Sequence, residues 1–237
     1  MSAAVERHAV TVPGGACALA LHLPEATGRV PCVLACHGLG ASKDSDKYLL
    51  LADELPRVGL ALARFDFRGC GESTGVESDT TVATRIEDSV AVLERLAKHP
   101  RLDGRTGLLG SSMGGFVALH VAAARDDGTP LVTWNAPSDL TRMPAPDPPA
   151  AGLGPAFFAE VRAGRYASAP PGVTRHLVVQ ADADEVVPPR HAAVLHDRAA
   201  APKWFVTIPG ADHRFTDPGH RRAAVDASVT WLLKWLR

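Results

Sequence analysis

Leu108-Leu109-Gly110-Ser111-Ser112-Met113-Gly114-Gly115 is the point at which an apolar run stops in a turn of small residues and a helical pattern takes over. Gly110 and Gly114 flank Ser112 at the G-x-S-x-G spacing. The spacing has a steric cause: on a strained strand-to-helix turn, side chains at the flanking positions would clash with the neighbouring strand and helix. The stretch reads as a nucleophile elbow, in which Ser112 lifts its hydroxyl above the end of a sheet. The Met113 N–H, at the start of the following helix, points into the same space as one oxyanion donor. A glycine-rich turn with an exposed serine has the same local pattern, so the rest of the chain must separate the two readings.

Working outward, residues 106–109 form the strand that feeds the turn, and residues 116–124 continue the helix with apolar and small side chains on several sides. Upstream, residues 10–12 and 17–23 read as short strands joined by the Pro13-Gly14-Gly15 turn. Val30-Pro31-Cys32-Val33-Leu34-Ala35-Cys36 is apolar without alternation, as in a strand buried on both faces of a parallel sheet, and it ends at His37-Gly38-Leu39-Gly40. Residues 49–58 have helical spacing, and residues 60–65 form another buried strand. Ile86, Val90, Leu93 and Leu96 mark a helix over 82–99 that Pro100 closes. Residues 131–134, 176–180 and 203–208 are further strands, 190–200 is a helix, and Val225, Val229, Leu232 and Leu236 stripe a closing helix. This alternation predicts an α/β fold: a mostly parallel eight-stranded sheet with helices on both faces, its ligand site beyond the carboxyl ends of the strands. The rhythm breaks over 136–173, which holds eight prolines, few aliphatics and one helical island at 157–163. We read it as a small Pro-rich cap, inserted at about 138–173 in a single domain spanning 1–237.

The chain has 237 residues, 46% of them hydrophobic, which suffices for a large core in one α/β domain. Its net charge of −1 with scattered basic residues argues against a nucleic-acid stripe or a polybasic membrane patch and favours a small or neutral partner. Glu6, Arg7 and His8 stand where a signal peptide needs an apolar run, and no later stretch is suited to membrane insertion, so a cytoplasmic protein is expected. Cys17, Cys32, Cys36 and Cys70 are read as free thiols. The C-x3-C pair Cys32 and Cys36 lies within one β-type run, and no metal site is expected from it.

Serine is a weak nucleophile until a base takes its proton, and that base must be oriented by an acid. In this fold logic both follow the serine in chain order, each in a loop just after a strand. Of ten histidines, His213 is the one that follows the final strand through a short glycine turn, Pro209-Gly210-Ala211-Asp212-His213. The loop after residues 176–180 offers Asp182 and Asp184, and Asp212 is a third carboxylate. Asp182 comes almost directly off the strand and suits an Asx-type bond to its own loop. Asp184 has left the sheet far enough to reach the His213 loop and is favoured, while Asp212 is expected to fix its own turn. His37, at a strand end on the crevice side, is expected to brace the oxyanion loop, with the Leu39 N–H as second donor. Trp134 and Asn135, and His37 besides its bracing role, end strands at the crevice and are candidate pocket residues, as are Phe157, Phe158 and Tyr166 in the cap; packing into the core would use the same aromatic side chains.

Taken together, His37-Gly38, Asp66-Phe67-Arg68-Gly69-Cys70-Gly71-Glu72-Ser73, the Ser112 elbow, Asp184 before Val187-Pro188, and Gly210-Ala211-Asp212-His213 resemble the α/β-hydrolase superfamily over nearly the whole chain apart from the cap. The set looks most like compact serine esterases of the feruloyl (cinnamoyl) esterase and acyl-aminoacyl-peptidase-like groups. The resemblance implies Ser112, Asp184 and His213 as the catalytic triad of a cofactor-free serine hydrolase. Arg68, Glu72 and Ser73 are read as loop-fixing residues. The expected partner is a small-molecule ester cleaved through an acyl-enzyme, with no nucleic acid and no membrane insertion; the pattern specifies no oligomeric state. Amide or peptide hydrolysis by the same triad, and a non-catalytic small-molecule binding protein of the same fold, are the rival readings.

Overall fold

Side chains alternate across each strand, and in this chain the alternation sorts them onto two separate apolar cores. The computed structural model describes residues 4–25, 28–141 and 152–237. Within them runs one eight-stranded sheet formed by β1 (Ala4–Val12), β2 (Gly15–Leu23), β3 (Val30–Cys36), β4 (Ala61–Phe65), β5 (Leu102–Ser111), β6 (Leu131–Trp134), β7 (His176–Ala181) and β8 (Lys203–Ile208). The spatial order is β1-β2-β4-β3-β5-β6-β7-β8. β1 and β2 are antiparallel to each other, β2 is antiparallel to β4, and every pairing from β4 through β8 is parallel. The continuous apolar runs of β3 and β4 are buried at every position, as strands covered on both faces must be.

On one face, Cys32, Leu34, Cys36, Leu108 and Val178 pack with α2 (Val82–Ala97) and α3 (Met113–Arg125). On the other, Val33, Ala35, Leu109, Val132 and Val179 pack with α1 (Asp46–Arg57) and α6 (Pro218–Leu236). The helices start where their sequences say they should. Thr81 and Thr84 form a reciprocal capping box at α2, and the Asp217 carboxylate accepts the Gly219 and His220 N–H groups ahead of α6. One start falls earlier than hydrophobic spacing alone indicates: α1 begins at Asp46, because its first turn is the polar Asp46-Lys47 pair, whereas α3 begins at Met113, directly on the elbow, as the elbow pattern predicts.

The loop after β4 is tied down by buried charge. Asp66 accepts the Lys43 N–H at 2.7 Å and the Glu72 N–H at 3.0 Å, and the Lys43 ammonium bridges Asp66 at 3.1 Å and Glu72 at 2.6 Å. Arg68 Nε donates to Asp88 at 2.7 Å, and the Ser73 hydroxyl donates to the Asp66 carbonyl at 2.6 Å.

In the insert, residues 142–151, including Pro144 to Pro149, lie outside the described residues. The flanks meet: the Leu140 N–H donates to the Ala167 carbonyl at 2.8 Å and the Ala169 N–H to that of Ser138 at 2.9 Å. α4 (Pro155–Arg162) lies between them in sequence and buries Phe157 and Val161. Its Glu160 carboxylate accepts the N–H groups of Val82 and Ala83, so the insert caps α2. All four cysteines are free and buried. No helix among the described residues is long and apolar enough to cross a membrane.

Candidate active site

Gly110 and Gly114 are what allow the elbow to close. A Cβ on Gly110 would lie 2.3 Å from the Gly114 carbonyl oxygen, and one on Gly114 would lie 2.2 Å from that of Cys36. Between them Ser112 adopts φ 55° and ψ −125°, backbone that an L residue enters only under strain. The surrounding backbone holds it there. The Ser112 N–H donates to the Trp134 carbonyl at 2.8 Å, and the Ser112 carbonyl accepts from Gly115 at 2.9 Å and Phe116 at 3.1 Å.

The loops after β7 and β8 deliver two partners to this serine. His213 Nδ1 is 2.7 Å from Asp184 Oδ2, and His213 Nε2 is 3.1 Å from Ser112 Oγ. Asp184 is buried. Its other oxygen accepts the N–H groups of Val186 at 2.9 Å and Val187 at 2.7 Å, so the loop fixes the carboxylate and leaves Oδ2 for the imidazole. With the carboxylate on the Nδ1 side, the neutral ring carries its proton there and turns the Nε2 lone pair to the serine hydroxyl.

The neighbouring carboxylates do different work. Asp182 was expected to bond within its own loop; instead its Oδ1 accepts the Gly210 N–H at 2.6 Å and ties the β7 loop to the turn ahead of His213. β7 and β8 are adjacent, so the nearest free donor belongs to the next loop. Asp212 accepts the Thr216 hydroxyl at 2.6 Å and the Thr216 N–H at 2.7 Å, and these bonds hold its carboxyl below the ordinary carboxylate range.

A cavity of about 680 Å³ opens over Ser112 and His213. Leu39 and Met113 both line it, and neither N–H meets an acceptor among the described residues. His37, expected beside substrate, is off the cavity wall. Its Nδ1 donates to the Gly38 carbonyl at 2.8 Å, its Nε2 accepts the Phe67 N–H at 3.1 Å, and burial pushes the imidazole down to about 4. It is a neutral brace under the loop that carries Leu39.

The other expected pocket residues are also corrected, since none of them lines the cavity. Trp134 points into the α1 and α6 core, stacks on Tyr48 and donates its indole N–H to Ser228 at 2.9 Å. Asn135, at φ 49°, donates to the His213 carbonyl at 2.9 Å and accepts the Ala181 N–H at 2.8 Å, so it joins the two loops from behind. Phe157 and Phe158 pack edge to face in the α2 and α3 core, and Tyr166 meets His120 beside it. For Phe157, Phe158 and Tyr166 the physical reason is shared: the insert offers few aliphatics, and its aromatic residues are what seat it on the body.

The cavity wall that hydrophobic patterning missed is charged. Lys47, Arg190, Arg214 and Arg221 line it. Ser45-Asp46, an N-cap and acidic first turn, is the local signal that would have extended α1 to include Lys47.

Glu6, His8 and His99 bring three ligand-type atoms within 4.8 Å of one another. His99 Nδ1 accepts the Arg101 N–H at 3.3 Å, which puts the neutral ring's proton on Nε2, aimed at Glu6 at 3.0 Å. That tautomer makes His99 a donor to the carboxylate, and it presents no lone pair to a cation.

Among solved structures, Est1E of Butyrivibrio proteoclasticus with ferulic acid bound superposes with a TM-score of 0.84, at 20% identity over 96% of this chain and 98% of that one, a likeness of fold. XC6422 of Xanthomonas campestris, an α/β serine hydrolase without lid, gives a TM-score of 0.73 at 25% identity over 98% of this chain and 95% of its own. Among curated proteins, the mitochondrial palmitoyl-protein thioesterase ABHD10 of mouse is 30% identical over 100 residues, which is 42% of this chain and 32% of that protein. The matched stretch thus spans about a third of the length of this relative. The family model described as serine aminopeptidase, S33 (Hydrolase_4) matches residues 29–149, from the start of the parallel sheet through the elbow and β6. With that match over half its length and the hydrolase fold around it, the chain belongs to the serine aminopeptidase S33 (Hydrolase_4) family of α/β serine hydrolases.

Proposed function

We propose that the protein hydrolyses a small carboxylic ester through an acyl-enzyme, with Ser112 as nucleophile, His213 as general base and acid, and Asp184 as the group that orients the imidazole. The observation that carries the reading is the unbroken series Ser112 Oγ, His213 and Asp184 at 3.1 and 2.7 Å, at a cavity lined by the unengaged Leu39 and Met113 N–H groups. Ser112 Oγ attacks the ester carbonyl carbon as its proton passes to His213 Nε2. The carbonyl oxygen takes the negative charge, which the two N–H groups stabilise. The carbon–oxygen bond to the alcohol then breaks, and the alkoxide leaves with the proton from Nε2. Water repeats the sequence on the acyl-enzyme, releases the acid and restores Ser112.

The cavity volume suits a small molecule. A palmitoyl thioester, the substrate class in the mouse relative's name, calls for a long apolar slot; the cavity wall interleaves Leu39, Leu140, Val186 and Val187 with Lys47, Arg190, Arg214 and Arg221, which favours a short acyl chain next to polar groups.

A fluorophosphonate probe should add one adduct to the wild-type protein and none to Ser112→Ala. An intact mass without adduct on folded wild type would overturn the serine-hydrolase assignment to Ser112. A panel of short-acyl esters, the matching thioesters and amides then ranks the reaction classes. Turnover of amides above esters would replace the ester reading by the amidase one.

A further inference from the structure

We propose that the preferred ester carries a carboxylate, and that Lys47 is the residue that selects it; the inference rests on the ester-hydrolase reading above. Lys47 lies in the first turn of α1 and lines the cavity. Its ammonium donates to Ser111 Oγ at 2.7 Å, and Ser111 is the residue immediately before the nucleophile. An ammonium has three donors, and no carboxylate stands within ion-pair distance of this one among the described residues.

Its charged surroundings add positive potential. Arg214, next to His213 in the chain, is exposed on the same cavity and has no hydrogen-bonding partner among the described residues. Arg221 reaches Asp46 at 3.3 Å and otherwise donates to the carbonyls of Phe215 and Thr216. Burial, then Arg214 and Arg221, push the Lys47 ammonium down to about 8 against the opposing pull of Asp212 and Asp184. The acids on the wall are occupied or peripheral: Asp46 with Arg221, Asp139 with Thr141 and Ser168, and Glu185 exposed on the β7 loop. Ser45, the residue ahead of α1, gives its hydroxyl to the Ser42 carbonyl and makes no capping bond, so Asp46, paired with Arg221, is the acid that the first turn sets against the positive end of the helix dipole.

A neutral ester entering this cavity would desolvate Lys47 without compensating it. A carboxylate-bearing ester neutralises it through a charge-assisted hydrogen bond. The difference between the two is the specificity.

The test compares esters of matched shape and different charge. On the acyl side the pair is mono-p-nitrophenyl glutarate and its methyl diester; on the alcohol side it is p-acetoxybenzoate and its methyl ester. In at least one pair the wild-type protein should favour the anion by about tenfold or more in kcat/KM, Lys47→Met should bring that ratio to about one, and Lys47→Arg should restore part of it. A wild type that favours the neutral member of both pairs, or a ratio unmoved by Lys47→Met, overturns the proposal.

Fluorophosphonate labelling reads the nucleophile independently of charge. If no ester is turned over, calorimetry on Ser112→Ala protein decides. Half-ester binding weakened about tenfold or more by added Lys47→Met sustains the anion site while the hydrolase reading falls. Equal binding removes the anion site as well.

Discussion

Three carboxylates stand within one small region of this site, and hydrogen bonding alone gives them separate roles. Asp184 spends one oxygen on two backbone N–H groups and the other on His213. Its place is therefore held without the imidazole, and the imidazole's place depends on it. Asp184→Asn should leave the fold intact and lower kcat by about 10⁴-fold, because an amide favours the wrong histidine tautomer and cannot balance the imidazolium charge. Asp182→Ala removes only the acceptor for the Gly210 N–H. It should cost no more than about tenfold, through a loosened His213 loop. Steady-state kinetics on folded variants checks both. A larger loss at Asp182 than at Asp184 would reverse the assignment.

At the level of elements, the elbow depends on how closely α3 approaches β3. Gly114, in the first turn of α3, lies under the Cys36 and His37 carbonyl oxygens, 2.2 and 2.4 Å from where a Cβ would be built. Neither oxygen can move without displacing the end of β3 or the loop that carries Leu39. Gly114→Ala should therefore destabilise the protein by about 3 kcal/mol or more in urea unfolding. Gly107, in β5, supplies the comparison. A Cβ there meets Leu232 Cδ2 at 2.9 Å and Leu236 Cδ1 at 3.1 Å, the flexible ends of α6 side chains. Gly107→Ala should cost roughly 1 kcal/mol, since those side chains can rotate aside. Equal costs at the two positions would mean that α3 has room the structure does not show.

For the whole molecule, buried neutral histidines link the two cores to pH. His176 is fully enclosed, bonds the Thr133 hydroxyl at 2.8 Å and is pushed by burial down to about 3; His37 lies at about 4. Both folded-state values are depressed below the ordinary value of about 6.5. The stability tied to them is therefore fully present above about pH 6.5 and is lost as pH falls, because the unfolded chain takes up protons that the folded chain refuses. Between about pH 6 and 5, where carboxylates contribute little, each should remove roughly 1 kcal/mol, and His22 and His120, also pushed by burial down to about 4, act in the same direction. Urea unfolding at intervals across this window checks the slope. A flat profile would mean that these rings are protonated or solvated in the native state.

The parts of this protein that the sequence alone determined are those governed by local backbone geometry and period. The unalternating run of β3, the G-x-S-x-G spacing at Ser112 and the glycine turn ahead of His213 carry their structural meaning within a few residues, because sterics and side-chain direction act at that range. Hence the eight strands, the helices between them and the three residues that meet at the elbow were all legible, although Ser112 and His213 are 101 positions apart. The destination of individual side chains was decided only by the tertiary structure. Trp134, Phe157, Phe158 and Tyr166 have the same local signature whether they face a cavity or a core; what buried them was the neighbour that arrived on their side, α6 and Tyr48 for Trp134 and the α2 and α3 core for the insert. Asp182 found its donor on the adjacent strand's loop, and Lys47 reached Ser111, beside Ser112, from a separate helix. Such contacts depend on which elements the sheet order sets side by side, a relation between distant segments that no local spacing encodes.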